Sequence, residues 1–409
     1  MKIAIVGGFL FPYGDAAGAR YRLLAKSLKK LNTEVYVISQ LPYVPREDDY
    51  NIENDNYEFE GIRYESVIKR ETTQKKYLTS SLNLIEAYNE SAKSLENLIK
   101  LEGIDIILYS GNFNIAFRSI FKVARKYGVP VVNDVMEWFS SFVFHGGAFH
   151  PLSWDHEYYM RVINKRVDGL LVISSYLEKY YKKTSLPLLR VPSIGEFNNL
   201  PVVSEQKKDN NYPIKIGYYG TPSIKDGIYE MIQAINILSE KKCDFKFYLA
   251  GDDGRSGHLK KVIEIVNSNK LLSEKIVIMG KINQEDIPVF FSNCDILILT
   301  RPNMRFAKAG FPQKIPEYMS LGKPIVVTDV GDISMYVRHE VDGLIVKPNN
   351  PLIFANALEE LINYSDNDRE KMGLSAWNRG KNSFESEIHS KRILDFFSTI
   401  IDNKMKKNV

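Results

Sequence analysis

Residues 214–220 read IKIGYYG, a short apolar run that ends in glycine. The same pattern opens the chain, where residues 2–8 read KIAIVGG. Such runs are typical of buried parallel strands, because helices cover both faces of a parallel sheet. Each run is followed by a glycine-containing loop and a helix, so each one begins a strand–helix series. The chain therefore contains two such series, one in each half.

Strands and helices alternate throughout both halves. A polar, acidic stretch at residues 45–67 interrupts the first series, and we expect a hairpin there with its turn near Gly61. Two series in one chain predict two doubly wound, Rossmann-like α/β domains that face each other across a cleft. The predicted strands are KIAIV, EVYVIS, DIILYS, VPVVND, GLLVIS and PLLRVP in the first half, and IKIGYYG, FKFYLAGDDG, KIVIMG, CDILILT, KPIVVTD and DGLIVKP in the second.

The length of 409 residues favours two domains of about 200 residues each. A polar stretch at residues 202–213 separates the two series. We place the first domain at residues 1–200 and the second at residues 201–385. The remaining residues, 386–409, contain an amphipathic helix, which either caps the second domain or, as we predict, returns to the first.

The composition, 44% hydrophobic and 25% charged, is that of a globular protein. A formal net charge of +4 is too small to indicate nucleic-acid binding. Cys243 and Cys294 lack metal-ligand spacing, which favours a reducing compartment. The start MKIAIVGGF reaches glycine too early for a signal peptide, and no apolar run attains the roughly 18 residues of a membrane span. We expect a cytoplasmic protein, at most bound to the inner face of the plasma membrane.

Glycines and charges recur in the loops that follow the predicted strands. The first loop either holds an anion on its backbone amides or is a flexible surface loop, and Gly18, at the start of the helix that follows, would allow a ligand to approach closely. Either one of Arg20 and Arg22 holds a phosphate, or the two belong to a solvated helix face. Lys225, just before a helix, is suited to neutralise a diphosphate, although lysine is also common in such loops. Because LAGDDGRSG, MGKINQEDIP and AGFPQKIPEY repeat this pattern, we expect a ligand at the carboxyl ends of the strands.

The second half resembles the nucleotide-binding domain of the family 4 glycosyltransferases, which are retaining enzymes of the GT-B fold. Residues 310–327, GFPQKIPEYMSLGKPIVV, follow the family's signature, and TDVGDISMYVRHEVDGLIVKPNN keeps its order of helix and strand. GTPSIKDG is similar to the family's phosphate loop, LAGDDG to its next glycine turn, and GKINQEDIPVFFSNCDILIL to its base-side segment. GARYRLLAKSLKKLNTEVYVIS, YGVPVVNDVMEWF and DGLLVISSYLEKYY extend the resemblance to the first half, where it is weakest over residues 42–75.

The resemblance implies a donor site for a nucleoside-diphosphate sugar. The carboxylate of Glu317 would accept hydrogen bonds from the ribose hydroxyls, and Lys225 would stabilise the leaving diphosphate, which makes both candidate catalytic residues. Lys314 either contacts phosphate or sugar or pairs with an acidic side chain. No metal or other cofactor is expected, because lysine and helix termini would neutralise the leaving group. The remaining candidates for binding the donor are Gly18, Gly220, Gly251, Ile282, Gly310, Phe311 and Pro312.

Two positions in the second half depart from the family's pattern. The family often has two glutamates, E-x7-E, and here Ala309 stands at the first position and Glu317 at the second. The family's phosphate-loop arginine falls at Thr221. The nearby residues that could supply the missing positive charge are Arg301, Arg305 and Lys308.

A third departure lies in the first half. Many members have a histidine just after the VPVVND strand, where this chain has Met136-Glu137-Trp138. Glu137 is the candidate catalytic residue there, in contact with the donor sugar or the acceptor hydroxyl, and His145 is the nearest histidine in sequence. Alternatively, Glu137 caps a helix or pairs with an arginine.

The resemblance implies a hexosyltransferase that retains the anomeric configuration. The resemblance implies a front-face displacement, in which the leaving phosphate takes the acceptor proton. A UDP-sugar is the favoured donor and a GDP-sugar the alternative; the acceptor would be a glycan, lipid-linked or protein-linked hydroxyl in bacterial glycan or glycoconjugate assembly. Two other functions stay open: a nucleotide-sugar-binding partner without catalysis, and a nucleotide-sugar 2-epimerase, against which the lack of a clear histidine–carboxylate set argues.

The acceptor is expected against the first domain. Basic helical segments at residues 26–30, 122–126 and 178–183 either touch an anionic membrane surface that carries a lipid-linked acceptor or are solvated helix faces. The aromatic segment at residues 137–154 is predicted to form an acceptor wall or a mobile flap.

Overall fold

The computed structural model describes residues 1–14, 16–41, 49–51, 56–67, 81–144, 146–197, 212–241, 243–253, 257–282 and 286–408. The chain forms two compact units, one of Met1–Ile194 with Ser386–Val409 and one of Gly195–Glu385. The sequence places the boundary after residue 200, and the contacts divide the chain between Ile194 and Gly195.

The first unit is built on a mainly parallel sheet. Its described strands are β1 (Lys2–Gly7), β2 (Glu34–Ser39), β3 (Tyr50–Asn51), β4 (Asn56–Phe59), β5 (Ile62–Ser66), β6 (Ile106–Ser110), β7 (Val131–Val135), β8 (Gly169–Val172) and β9 (Leu188–Arg190). They lie in the order β3-β4-β5-β2-β1-β6-β7-β8-β9, and β4 runs antiparallel to both of its neighbours. The helices are α1 (Ala16–Lys30), α2 (Ser81–Glu102), α3 (Asn114–Tyr127), α4 (Pro151–Arg161) and α5 (Ser175–Tyr181).

The predicted hairpin is confirmed. Phe59 pairs with Ile62 across the turn, and the two turn residues, Glu60 and Gly61, have φ angles of 49° and 73°. Positive φ at both central residues is the geometry of a two-residue turn whose twist matches that of the strands it joins. Glycine adopts this conformation without steric cost, which explains why the turn falls at Gly61.

The fourth helix begins and ends earlier than predicted. The sequence after the VPVVND strand predicts a helix near residues 154–166, and α4 spans Pro151–Arg161. Pro151 stands in the first turn, where its missing N–H has no partner to lose, and the ring of His150 accepts the amide of Leu152. The chain then tightens into a single 3₁₀ turn at Ile163–Lys165 before β8.

The second unit contains a fully parallel sheet. Its described strands are β10 (Ile214–Tyr219), β11 (Phe245–Ala250), β12 (Ile276–Gly280), β13 (Ile296–Leu299), β14 (Ile325–Thr328) and β15 (Gly343–Val346), in the order β12-β11-β10-β13-β14-β15. The strand order reverses between β10 and β13, which is where ligands bind in open parallel sheets. The helices are α6 (Ile228–Ser239), α7 (His258–Ser268), α8 (Lys270–Lys275), α9 (Ile287–Ser292), α10 (Arg305–Ala309), α11 (Lys314–Ser320), α12 (Ile333–Tyr336), α13 (Pro351–Asn363) and α14 (Asp366–Phe384).

The last helix, α15 (Ser386–Asn408), packs in the first unit. Its residues Ile393, Phe397 and Ile400 lie in the same apolar core as Leu24 of α1. The approach to β8 is close, because a Cβ added at Gly169 would lie 2.4 Å from the Cδ1 atom of Ile400. Among the described residues, no helix is both long enough and apolar enough to cross a bilayer.

Candidate functional site

The loop after β10 places a buried carboxylate at the point where the strand order reverses. The strand ends at Tyr219, and a 3₁₀ turn at Ile224–Asp226 follows, capped by the hydroxyl of Ser223. Asp226 is only 7% exposed. Its Oδ2 atom accepts a hydrogen bond from the hydroxyl of Tyr218 at 2.9 Å and one from Lys314 Nζ at 2.8 Å. Lys314 thus pairs with an acidic side chain, one of the two roles that the sequence left open.

Arg301, which follows β13, lies on the other side of this carboxylate. Its Nη1 atom is 3.9 Å from Asp226 Oδ1, and the residue is 2% exposed. Neither Nε nor Nη2 has a hydrogen-bond partner among the described residues. Its backbone is fixed by the Thr328 hydroxyl, which accepts from the Arg301 amide at 2.7 Å and donates to the Arg301 carbonyl at 3.0 Å.

Charges control the ionisation of Asp226. Burial opposes the charged carboxylate, but Lys314, Arg301 and Lys225 outweigh it and lower the pKa of Asp226 to about 2. Burial, and then the charge of Asp226, hold the pKa of Tyr218 well above its usual value. The site therefore contains an ionised carboxylate and a neutral phenol that donates to it.

Lys225 and Glu317 lie in the same region of the second unit. Lys225 is half-buried in the 3₁₀ turn, and its charge acts on Asp226. Glu317 is half-buried in the first turn of α11, three residues after Lys314, so the two side chains emerge on one face of the helix. Burial and then the carboxylate of Glu317 raise the pKa of Tyr219, which ends β10.

Two of the predicted glycines meet backbone to backbone. A Cβ added at Gly251 would lie 2.1 Å from the carbonyl oxygen of Gly220, and the φ angle of Gly251 is 139°. Gly220 has a φ angle of 144°, and a Cβ there would lie 2.6 Å from Lys314 Nζ. Glycine is favoured at Gly251 because the backbone of Gly220 fills the space of a side chain, and at Gly220 because its φ angle is strained for other residues.

The segment before α11 is packed into the second unit. The amide of Gly310 donates to the carbonyl of Phe306 at 3.0 Å, and the Phe311 ring packs against Tyr336 and Phe384 at 5.1 and 5.5 Å. Pro312 is buried, and its carbonyl accepts the amide of Ile315. Ala309, where the family has its first glutamate, is wholly buried at the end of α10.

The other strand-end loops of this unit are described only in part. Asp253 accepts from the amides of Leu259 and Lys260 at 2.8 and 3.2 Å, so a carboxylate of the chain already occupies the N-terminus of α7. Ile282 is half-buried just after β12.

In the first unit, Gly18 is buried within α1. Arg20 is 2% exposed, and its Nε lies 3.1 Å from Asp134 Oδ2. The expectation that Arg20 holds a phosphate or lies on a solvated helix face is therefore wrong, because its charge serves a buried ion pair. Arg22, two residues further on, is half-buried.

Glu137 is half-buried just after β7, next to Trp138, which is 2% exposed. The Trp138 indole donates to Glu157 at 3.1 Å. His145 lies outside the described residues. The sequence interpretation overlooked His156, which is fully buried.

His156 joins the loop after β6 to the loop after β7. Its Nε2 accepts the amide of Phe139 at 2.9 Å, so Nδ1 carries the proton that is shared with the Asn112 carbonyl at 2.7 Å. Histidine in the amphipathic pattern of α4 was the available signal, but its partners come from two other loops.

The aromatic segment divides into buried and exposed side chains. Trp138 is buried, whereas Phe149 is 88% and Trp154 is 66% exposed. The indole of Trp154 is fixed by a hydrogen bond to the Ala148 carbonyl at 2.6 Å. We call the exposed side chains Phe142, Val143, Phe149, Leu152, Trp154 and Tyr158 the aromatic patch.

Several lysines of the basic helical segments form ion pairs. Lys26 lies 3.0 Å from Glu60, Lys30 lies 2.9 Å from Glu387, and Lys126 lies 2.8 Å from Glu96. Exposed pairs of this kind are typical of solvated helix faces. Within the described residues, no group of three or more His, Cys, Asp or Glu side chains is arranged to hold a metal ion.

Comparison with known sequences finds a family match within the second unit. Residues 213–364 match the family described as "Glycosyl transferases group 1". The uncharacterised glycosyltransferase MJ1178 of Methanocaldococcus jannaschii is 26% identical over 309 residues, which cover 75% of this chain and 78% of that protein. The capsular polysaccharide biosynthesis glycosyltransferase CapM of Staphylococcus aureus is 27% identical over 188 residues, which cover 46% of each chain.

Solved structures match nearly the whole chain. Sucrose-phosphate synthase of Thermosynechococcus elongatus has a TM-score of 0.76 at 15% identity and covers 98% of this chain and 99% of its own. The Anabaena protein HepE, solved with UDP and glucose, has a TM-score of 0.68 at 16% identity, with 98% and 100% covered. The chain thus has the GT-B fold, and the matches to residues 213–364 and to MJ1178 support a glycosyltransferase of the group 1 type.

Proposed function

We propose that this chain is a retaining family 4 glycosyltransferase that moves a sugar from a nucleoside-diphosphate sugar to an acceptor hydroxyl. One observation carries the proposal: Lys225, Lys314 and Glu317 lie at the carboxyl end of the sheet where the strand order reverses. All three residues fall within the stretch that matches the group 1 family. A UDP-sugar is the favoured donor, in keeping with the UDP bound to HepE.

The cations would stabilise the leaving diphosphate without a metal ion. Lys225 and Lys314 supply positive charge beside the Gly220 turn, and Glu317 would accept hydrogen bonds from the ribose hydroxyls. Loss of one such stabilising group commonly costs about 3 kcal/mol of transition-state stabilisation, or about a hundredfold in rate.

The reaction would be a front-face displacement. The bond between the sugar's anomeric carbon and the phosphate oxygen breaks, and the acceptor oxygen bonds to the anomeric carbon on the same face. The acceptor proton passes to the leaving phosphate, so the products are a glycoside and a nucleoside diphosphate. The residues of this chain would bind and orient the donor and the acceptor and would exclude water, and no enzymic base would be required.

The acceptor would bind to the first unit. Glu137 lies at the carboxyl end of β7, where parallel sheets bind ligands, and is the proposed contact to the reacting hydroxyl. The aromatic patch, which begins five residues later, offers apolar faces for a glycan ring or a lipid-linked acceptor. CapM, named for capsular polysaccharide biosynthesis, favours glycan assembly as the setting. The cytoplasmic face of the membrane is our proposed location for this chain.

Calorimetric titration tests the donor site. UDP, GDP and ADP are titrated into the wild type, Glu317→Ala and the exposed-surface control Glu264→Ala, without added metal. We expect micromolar binding of one nucleotide, weakened at least tenfold by Glu317→Ala and unchanged by the control. Failure of all three nucleotides to bind, with or without magnesium, would overturn the donor site.

Turnover distinguishes the enzyme from the two alternatives. The wild type is incubated with sugar nucleotides of the base that binds, and release of the nucleoside diphosphate is followed. A non-catalytic partner would bind nucleotide and release none, whereas an epimerase would change the sugar nucleotide without any acceptor. Either result would replace the transferase proposal.

A further inference from the structure

The charge balance around Asp226 points to a residue that the family signature does not include. Three cationic side chains act on this one carboxylate within the described part of the chain: Lys314, Arg301 and Lys225. Asp226 balances only one of these three positive charges. The excess of positive charge suits an anionic ligand such as the diphosphate of a sugar nucleotide.

Arg301 shows that the excess is built into the fold. A guanidinium that is 2% exposed, with two N–H-bearing nitrogens unpartnered among the described residues, is costly to bury. The hydroxyl of Thr328 fixes the arginine's backbone from both sides, and the side chain is buried beside Asp226. Asp226 is the carboxylate that offsets this charge.

Lys314 is held where a phosphate would arrive. Its Nζ lies 2.8 Å from Asp226 and 5.3 Å from the centre of the Tyr218 ring, beside the Gly220 turn. An ammonium group has three N–H donors, and the bond to Asp226 uses one of them. The lysine can therefore keep its anchor and still donate to a ligand.

We propose that Asp226 is the positioning residue of the donor site, and that it holds Lys314 so that its remaining N–H groups meet the diphosphate of the sugar nucleotide. This inference rests on the proposed donor site. Asp226 does not touch the nucleotide itself. Without the carboxylate of Asp226, Lys314 loses its anchor and the neighbouring cations repel one another. The diphosphate is then bound less tightly, while the nucleoside keeps its contacts.

The test compares two ligands of one base. The nucleoside diphosphate that the wild type binds best among UDP, GDP and ADP is titrated alongside the corresponding monophosphate. We expect Asp226→Asn to lower the affinity for the nucleoside diphosphate at least tenfold. The ratio of diphosphate to monophosphate affinity should fall at least fivefold. Asp226→Glu, which displaces the carboxylate by one methylene, should lower the same ratio to a smaller extent and serves if the asparagine variant does not fold.

A double variant tests whether Asp226 acts through Lys314. Asp226→Asn combined with Lys314→Met should bind the diphosphate within about twofold of Lys314→Met alone. If the affinity losses of the two single variants add in the double variant, or if Asp226→Asn lowers the affinity for the diphosphate and the monophosphate equally, the positioning role is overturned.

Asp342→Asn is the matched control. Asp342 is also a buried aspartate in an ion pair, 2.7 Å from Arg338, but it precedes β15 and so lies at the amino end of its strand, away from the carboxyl ends where the donor site is proposed. The nucleotide affinity of Asp342→Asn should equal that of the wild type. If the wild type binds no nucleotide, the donor site itself fails; if Asp226→Asn keeps the wild-type affinity and ratio, only the role of Asp226 fails.

Discussion

Arg20 Nε lies 3.1 Å from Asp134 Oδ2 inside the first unit, which joins the helix after β1 to the end of β7. The guanidinium also donates to the carbonyls of Pro192 and Val191, at 2.6 and 3.4 Å. Tyr21 donates to the same carboxylate at 2.9 Å. The arginine thus ties a helix, a strand end and the segment after β9 together, and its charge is used inside the protein.

Removing the arginine should therefore reduce stability. Arg20→Met leaves Asp134 buried without its cation, and loss of one partner of a buried pair costs about 3 to 5 kcal/mol. Urea unfolding should show this loss, whereas the half-buried Arg22→Met should change the free energy of unfolding by less than about 1 kcal/mol. If Arg20→Met is as stable as the wild type but no longer binds nucleotide, Arg20 contributes to the ligand site instead.

The sequence predicts the strands of this protein well and its buried charges poorly. Apolar runs such as KIAIV and IKIGYYG become β1 and β10, because burial on both sheet faces demands uninterrupted apolar residues. Asp226 reads as an ordinary loop residue in GTPSIKDG, since its partner Lys314 is 88 residues away. His156 is similar, because Asn112 and Phe139 become its neighbours only after folding.

The Gly220–Gly251 contact should not tolerate a methyl group. In Gly251→Ala the new Cβ would lie 2.1 Å from the Gly220 carbonyl oxygen, and the φ angle of 139° is strained for alanine. We expect a loss of more than 2 kcal/mol in unfolding free energy, together with weaker nucleotide binding as the Gly220 turn shifts.

Gly280→Ala is the control for backbone strain alone. Gly280 has a φ angle of 68°, but a Cβ there meets no atom within 4 Å among the described residues, so about 1 kcal/mol of strain is expected. Circular dichroism during thermal unfolding gives both values. Equal losses in the two variants would mean that the contact between the two glycines is unimportant.

The low pKa of Asp226 predicts a specific acid dependence of stability. Its pKa of about 2 in the folded protein lies below the usual value of 3.8, so its contribution to stability is present above about pH 4 and is lost as the pH falls toward 2. The difference between the two pKa values corresponds to about 2 kcal/mol.

Unfolding free energies of the wild type and Asp226→Asn, measured from pH 6 to pH 2.5, test this dependence. The advantage of the wild type over the variant should be constant down to about pH 4 and shrink below it, while other carboxylates cancel in the difference. An advantage that disappears near pH 5 would show that the cations do not stabilise this carboxylate.

Changes in the aromatic patch should weaken acceptor binding and leave hydrolysis of the donor unchanged. Phe149 and Trp154 are 88% and 66% exposed, so replacing both with alanine should alter the free energy of unfolding by less than about 1 kcal/mol. If their rings support the acceptor, the apparent KM for p-nitrophenyl glycoside acceptors should rise at least fivefold, because stacking on an aromatic ring is lost. Hydrolysis of the donor, measured as release of nucleoside diphosphate without acceptor, should be unchanged in this double variant. The control is Tyr212→Ala, which removes a 70% exposed ring from the second unit and should leave both hydrolysis and transfer unchanged. An unchanged acceptor KM, or an equal fall in hydrolysis and transfer, would contradict a role of the patch in acceptor binding.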